Sequence, residues 1–461
     1  MTTTPVAFAP ASAAAPRPVA IVVLAAGKGT RMKSDLHKVL HPIAGRPMLL
    51  HLLDSAAALS PERVVAVVGA GREQVEAAVA PLGAAIAHQA EQLGTGHAVM
   101  QAEAALAGFD GDVLILYGDV PLVGSATMRA MLDRLNAADA PAVVVLGFRP
   151  ADPGAYGRVI VTPGTDRVER IVEFKDASPA ERAETLCNSG LMAARSADLF
   201  ALLARLGNDN AAGEYYLTDI VALAGGAAAI EVAADEVAGV NSRAELAGVE
   251  AAWQQARRAR AMTEGATLIA PETVWFSHDT QLGRDVVVEP NVVFGPGVTV
   301  ADGVTIHAFS HLEGARVESG AELGPYARLR PGAVIGANAK VGNFVEIKKA
   351  TLGAGAKANH LSYIGDADVG AKANIGAGTI TCNYDGFFKY RTVIGEGAFV
   401  GSNSALVAPV SVGKGAIVGA GSVVVRDVTD DSLAVARARQ EERGGWAARF
   451  RAAMKAKKDG K

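Results

Sequence analysis

From about Leu268 to about Val425 short apolar steps alternate with glycine and polar positions. An apolar residue followed by Gly recurs at intervals of six, or about twice six. The series includes Leu282-Gly283, Phe294-Gly295, Leu323-Gly324, Ile335-Gly336, Val341-Gly342, Leu352-Gly353, Val369-Gly370, Ile375-Gly376, Val400-Gly401 and Val418-Gly419. Such a period, with one inward side chain and one turn glycine, predicts a parallel β-helix. Each short strand lays its apolar side chain on the strand one coil below. Each Gly turns a corner that a Cβ would crowd. The rhythm breaks clearly once, at Thr381–Arg391 (TCNYDGFFKYR). Insertions into a solenoid become loops on one face, often the binding face.

Before the repeats the pattern is different. Val19–Ala26, Val64–Val68, Val113–Tyr117 and Ala142–Phe148 are continuous apolar runs that read as buried parallel strands. Ala85–His88 is a shorter one. Helical patterns fall near Met48–Leu59, Arg72–Leu82, Thr95–Leu106 and Ser125–Leu135. This alternation predicts an α/β fold on a parallel sheet, with ligands at the carboxyl ends of the strands. Gly27–Arg31 and Gly118-Asp119 occupy such ends. Val159–Val161, Val168–Glu173 and Cys187–Ala193 read as a β-rich lobe closing over a cleft. Helical segments follow at Ala197–Leu206 and Tyr216–Ala224, and a last strand at Ile230–Ala233. Ser242–Thr263 reads as one long helix with a Ser242-x-x-Glu245 capping box, a stiff arm between the α/β part and the repeats. The expected organisation is a disordered Ala/Pro-rich leader over 1–18, an α/β domain over 19–241, a linker helix over 242–263, and a repeat domain with a basic tail over 264–461.

Composition narrows the function classes. A chain of 461 residues with net charge −4 and no long basic run carries no nucleic-acid footprint. No apolar run reaches the ~20 residues that span a bilayer. The cysteines are Cys187 and Cys382, without metal-ligand spacing, which fits a reducing cytosol. The Gly27–Arg31 turn lets backbone N–H groups approach a phosphate. It is neither a dinucleotide fingerprint, which needs Gly where Met32 stands, nor a P-loop. Arg31 and Lys38 can offset the charge of a triphosphate. On these residues alone a plain structural turn remains open.

Leu24–Met32, with Ser34–Leu36 and Lys38–Leu40, resembles the start of the sugar-1-phosphate nucleotidyltransferases. The runs QAEQLGTGHA (Gln89–Ala98) and YGDVPL (Tyr117–Leu122), with NIGAGTITCNYDG (Asn374–Gly386) in the repeats, narrow the resemblance. Together they resemble the bacterial bifunctional enzymes that join a uridylyltransferase to a glucosamine-1-phosphate acetyltransferase, over about Val19 to Gln440. That resemblance implies UTP, acetyl-CoA and glucosamine 1-phosphate as substrates, with Mg²⁺ as cofactor. It implies that Leu24, Ala25, Ala26 and Gly27, with Gln89, Gly94 and Thr95, hold uracil and ribose beside Gly118. Arg31 and Lys38 grip the triphosphate, and Asp119 and Asn241 hold Mg²⁺. Tyr117, Gly157, Glu173 and Asn188 contact the sugar. Two departures are visible: His37 stands where the family has Pro, and the turn before Tyr156 lacks a usual Thr.

For acetyl transfer the resemblance points to His360 as general base, with Glu346 orienting it or relaying its proton. Imidazole titrates in the useful range. Arg330, Lys348, Tyr363 and Asn374 would meet glucosamine 1-phosphate. Ala377, Asn383, Tyr384, Ser402, Ala420 and Arg437 would line the acetyl-CoA slot. Cys382 has no base partner in the pattern. The stretch Gly386–Tyr390 departs from the family's polar version. The resemblance also implies a left-handed coil and a homotrimer. A single-activity nucleotidyltransferase with a structural solenoid, and a non-enzymatic scaffold, stay as alternatives.

Overall fold

A computed structural model describes residues 17–27 and 29–460. The leader expected over 1–18 lies almost wholly outside the described residues; Arg17, at its end, bonds Asp110 and Asp112. Two compact units divide between Ala256 and Arg257. The division falls inside one helix, Arg243–Thr263.

The first unit is built on nine strands: β1 (Val19–Ala25), β2 (Arg63–Val68), β3 (Ala85–His88), β4 (Asp112–Tyr117), β5 (Val143–Phe148), β6 (Arg158–Val161), β7 (Arg167–Val172), β8 (Cys187–Arg195) and β9 (Ala227–Val232). They lie in the order β3-β2-β1-β4-β8-β5-β9-β7-β6. Strands β1 to β4 pair in parallel. β8 runs antiparallel to both β4 and β5. The sheet is therefore mixed, not parallel as expected. Its Leu191–Ala194 run is as buried as any parallel strand, and an apolar run encodes burial on two faces, not direction. β6 and β7 extend the same sheet and form no separate lobe.

Alternation along β1 shows how the core divides. Val19, Ile21, Val23 and Ala25 enter one apolar layer; Ala20, Val22 and Leu24 enter the other. Each Val, Ile or Leu among them contributes roughly 1.5–3 kcal/mol on burial. A third, smaller core joins Met32, Ile43, Ala44 and Met48 to Val240 and Val249.

The second unit is a solenoid of three parallel sheets with ten, eight and eight short strands. Thr305 lies opposite Glu322, Glu322 opposite Lys340, and Lys340 opposite Lys357, so a coil takes 17 or 18 residues. Inward Leu323, Ile335, Val341, Leu352, Val400 and Val418 are buried. The corner glycines have the steric reason anticipated. A Cβ at Gly342 would stand 2.0 Å from the Asn359 carbonyl oxygen of the next coil. At the Thr381–Arg391 break one coil lengthens: Asn374 lies opposite Phe399 and Ala367 opposite Thr392, a step of 25 in both sheets (399 − 374; 392 − 367). The extra chain leaves after Ile380–Cys382 and returns at Thr392–Ile394. The tail ends in a helix, Trp446–Asp459.

Candidate active sites

In the first unit Leu24 lies opposite Tyr117, so the loops leaving β1 and β4 share one edge of the sheet. Between them opens a cleft of about 280 Å³. Leu24, Ala25, Ala26, Gly27, Lys38, Gln89, Gly94, Thr95, Tyr117 and Asp119 all line it. Gly118 sits behind this wall, its N–H bonded to the Leu24 carbonyl at 2.9 Å. Gly94 has φ 110°, and a Cβ there would stand 2.6 Å from the Tyr215 carbonyl oxygen. The cleft also takes Val39, Gln92, Ala98 and Glu214, which sequence reasoning did not single out. Gln92 stands inside the quoted QAEQLGTGHA run; its amide donates to the Ala26 carbonyl at 2.6 Å. Buried Gln89 donates to the Gly94 carbonyl at 3.0 Å.

At one end of the cleft the Lys38 ammonium is bonded to the Asp119 carboxylate and, at 3.0 Å, to the Asn241 carboxamide oxygen. Asp119 and Lys38 are both largely buried. Two hard oxygen donors thus converge on one cationic point. Among the described residues no group of three His, Cys, Asp or Glu forms a metal cage. The Asn241 N–H donates to Glu245 at 2.6 Å, and the Glu245 N–H donates to the Ser242 hydroxyl at 3.3 Å. The capping box exists, with its reciprocal bond moved one residue upstream. Arg31 lies on the Thr30–Met32 turn, exposed and unpaired among the described residues.

The four residues expected on the sugar side also meet. The Asn188 N–H donates to the Gly157 carbonyl at 2.9 Å. A Cβ at Gly157 would lie 3.4 Å from the Glu173 carboxylate, and one at Gly190 would lie 2.9 Å from the Tyr117 ring. Burial raises the Glu173 carboxyl above its usual range, against a bond from the Thr218 hydroxyl, and the Asp176 and Asp219 charges add to the rise. Burial likewise raises the Tyr117 phenol.

In the second unit the His360 Nδ1 lies 2.7 Å from the Asn343 carboxamide oxygen. That oxygen only accepts, so Nδ1 carries a proton, which leaves the lone pair of the neutral ring on Nε2. Glu346, expected to serve His360, is instead bonded to Arg330 at 2.8 Å and Arg328 at 3.5 Å. The reason is register: Asn343 stands opposite His360, whereas Glu346 stands opposite Tyr363 on the next face. Asn343, and the orienting role it offers, was missed.

Four of the six residues expected along the acetyl-CoA slot, Ala377, Ser402, Ala420 and Arg437, stack in one column up the corner that holds Asn343 and His360. The carbonyls of Asn343, His360, Ala377 and Ser402 accept from the N–H groups of Leu361, Gly378, Asn403 and Gly421, each one coil on. Ala420 and Arg437 continue the column: a Cβ at Gly401 would meet Ala420, and one at Gly421 would meet Arg437. Asn374 lies on a neighbouring strand, opposite Lys357 and Phe399. The inserted segment folds as a small hairpin in which Tyr384 bridges to Lys389. Asp385 holds its turn by accepting from Phe387 and Phe388. Asn383 is buried and donates to Asp366, with the Tyr363 hydroxyl 3.5 Å away. Tyr384 is exposed beside it. Lys389 was also missed. Its ammonium is held below its usual range by Lys348, the lysine expected to meet the sugar phosphate. Two cations held together suit a dianion.

Comparison with known proteins agrees with both halves. A MobA-like NTP transferase domain matches residues 21–213, and bacterial transferase hexapeptide repeats match 279–314, 314–349 and 391–426. The chain is 71% identical to the bifunctional protein GlmU of Rhizorhabdus wittichii over 96% of this chain and 98% of that one. It is 68% identical to the Sphingopyxis alaskensis GlmU, with the same coverage, and 59% identical to that of Zymomonas mobilis over 96% and 99%. With a nucleotidyltransferase unit followed by a left-handed hexapeptide-repeat transferase unit, the chain belongs to the GlmU family of bifunctional enzymes.

Proposed function

We propose that the chain makes UDP-N-acetylglucosamine in two steps: acetyl transfer from acetyl-CoA to glucosamine 1-phosphate, then uridylyl transfer from UTP to the acetylated product. The observation that carries the reading is the pairing, in one chain, of a His360 imidazole with a free Nε2 and a nucleotide-sized cleft ended by the Lys38–Asp119–Asn241 contact. For acetyl transfer, Nε2 takes a proton from the substrate ammonium while Asn343 holds the ring. The freed amine attacks the thioester carbonyl, and the thiolate of coenzyme A leaves. Ser402 donates to the tetrahedral oxyanion. Arg330, kept in place by Glu346, joins Lys348, Lys389, Tyr363 and Asn374 around the sugar phosphate. Ala377 and Ala420 leave room for the pantetheine chain. Arg437 meets the phosphates, and Asn383 and Tyr384 close over the acetyl group.

For uridylyl transfer the sugar phosphate oxygen attacks the α-phosphorus of UTP in line, and pyrophosphate leaves. Arg31 and Lys38 stabilise the charge that develops, and the cleft walls hold the nucleotide in line. Tyr117, Gly157, Glu173 and Asn188 receive the N-acetyl sugar. Asp119 and Asn241 fit Mg²⁺, which takes few protein oxygens and completes its shell with phosphates and water; when bound it neutralises phosphate charge. A homotrimer and a cytoplasmic location belong to the same reading. Supporting the location, both cysteines are free, and among the described residues no helix is long and apolar enough to cross a membrane. One assay tests both steps: purified protein with glucosamine 1-phosphate, acetyl-CoA and UTP, following free thiol and pyrophosphate separately. Thiol release without UTP and pyrophosphate release only with Mg²⁺ are expected. Pyrophosphate release without thiol would leave a single-activity enzyme.

A further inference from the structure

We propose that Arg243 and Glu250 are positioning residues for uridylyl transfer. From one stripe of the Arg243–Thr263 helix they latch the 32–44 segment so that Lys38 is held at the end of the cleft where Asp119 and Asn241 stand. The inference rests on the uridylyl reading above and adds residues to it.

Lys38 meets Asp119 and Asn241 only through the tip of a long, flexible side chain, so its aim depends on what holds its backbone. The Arg243 Nε donates to the Met32 carbonyl at 3.3 Å, before Lys38. Its Nη1 donates to the His41 Nδ1 at 3.3 Å, after Lys38. One guanidinium thus closes both ends of the segment. A guanidinium only donates, so the His41 Nδ1 accepts. The His41 N–H is in turn bonded to the Lys38 carbonyl, which ties the clasp directly to the Lys38 backbone. Two turns further along the helix, Glu250 accepts from the Ala44 N–H at 2.8 Å. Val249 lies between these two contacts in sequence, buried with Met32, Ile43 and Ala44. Spacings of three, six and seven residues put Arg243, Leu246, Val249 and Glu250 on one stripe. Asn241, the residue that receives the Lys38 ammonium, stands two positions before Arg243. The partner of Lys38 and the clasp on its backbone therefore belong to one short stretch of chain.

The latch acts on the backbone behind one cleft residue and leaves the others in place, so its loss should fall mainly on turnover. In Arg243→Ala, kcat for pyrophosphate release should fall about tenfold, with KM for UTP changed less than about threefold. A misplacement of about 1 Å far from the chemistry can cost ~100-fold. Arg243→Lys, which keeps the charge but not the two-pronged reach, should recover only part of the loss. Glu250→Gln should show a weaker form of the same split. The second activity is an internal control: thiol release from acetyl-CoA should stay within about twofold of the unsubstituted protein. Hydrogen exchange gives a readout independent of turnover, and the Ala44 amide should exchange at least about tenfold faster in Glu250→Gln. If Arg243→Ala proves insoluble, Arg243→Lys and Glu250→Gln carry the test. Unchanged kcat together with unchanged Ala44 exchange would overturn the latch. Equal loss of kcat and gain of KM would also overturn it, because that pattern belongs to a binding residue. Absence of pyrophosphate release from the unsubstituted protein would sink the uridylyl reading, while the exchange measurement would still decide the latch.

Discussion

The two units gather their sites from very different stretches of chain. In the first, Lys38 meets Asp119 across 81 residues and Asn241 across 203. In the second, His360 meets Asn343 across 17, and the rest of its corner column follows coil by coil. The α/β site is a meeting of unrelated loops, each held by its own contacts. The solenoid site is a phase: a residue is in place because its coil is in step. Damage should therefore spread differently in the two. Loss of a side chain should strike one activity cleanly in either unit, whereas a change that shifts coil geometry should carry several solenoid residues with it.

The largest effect expected is at the bases of the comparison. His360→Ala should lower acetyl transfer roughly 100- to 10,000-fold, the usual range for a general base, with pyrophosphate release unchanged. Lys38→Ala should do the reverse, costing pyrophosphate release about 100- to 1,000-fold and sparing thiol release. If either substitution reduced both activities alike, the separation of the two sites would be wrong.

Gly342→Ala probes phase directly. Its Cβ would overlap the Asn359 carbonyl, next to His360. A loss of about 4 kcal/mol is expected, in the exceptional class of single substitutions. Calorimetry should show it in one of two unfolding transitions, with acetyl transfer falling before pyrophosphate release. Smaller still, Asn343→Ala should cost acetyl transfer about tenfold, close to one charge-assisted hydrogen bond. A wild-type rate would remove Asn343 from the mechanism.

The smallest effect is a divergence with pH. In the solenoid, burial works to lower His307, but its bonds to Glu289 at 2.9 Å and Glu322 at 3.2 Å win and raise it. That stability is fully present below about 6.5, the unfolded value, and is lost as pH rises through the raised folded value. In the first unit His37 is lowered by burial and then by Lys38, and both its ring nitrogens are buried without a partner among the described residues. There stability is fullest above 6.5 and falls as pH drops. Between pH 8 and 5.5 the two transitions should move in opposite directions, the His307 part by at most ~1 kcal/mol because its partners are partly exposed. Parallel movement would sink this assignment.

Much of the fold was legible because burial patterns are local. The run VAIVVLA and the Gly-phased hexads each carry their period in a few residues, and both elements formed where expected. The antiparallel course of β8 was not legible, because direction is set by connections and not by an apolar run. The cleft residues were legible through short motifs. The partners of the solenoid residues were not: Asn343 meets His360 because two coils bring them face to face, and Lys389 meets Lys348 from the inserted hairpin. A single slip of register would have put Glu346 opposite neither His360 nor Tyr363. His37 stands where the family has Pro, and its φ of −57° lies in the range Pro takes. His37 does gain one contact: its N–H donates to the Gln74 carboxamide oxygen at 2.8 Å, a bond Pro cannot make.

The lengthened coil separates what can be altered from what must stay in step. The hairpin between Cys382 and Thr392 leaves and rejoins the solenoid without disturbing the pairing of Ala367 with Thr392 or of Thr392 with Val410. The coil pairing and the hairpin are thus built from separate stretches of chain. The hairpin's tip, with Phe387 and Phe388 in solvent, can be shortened, lengthened or rewritten while His360 and Ser402 keep their spacing. Substitutions at Phe387 and Phe388 should therefore leave the coil pairing beneath them in place.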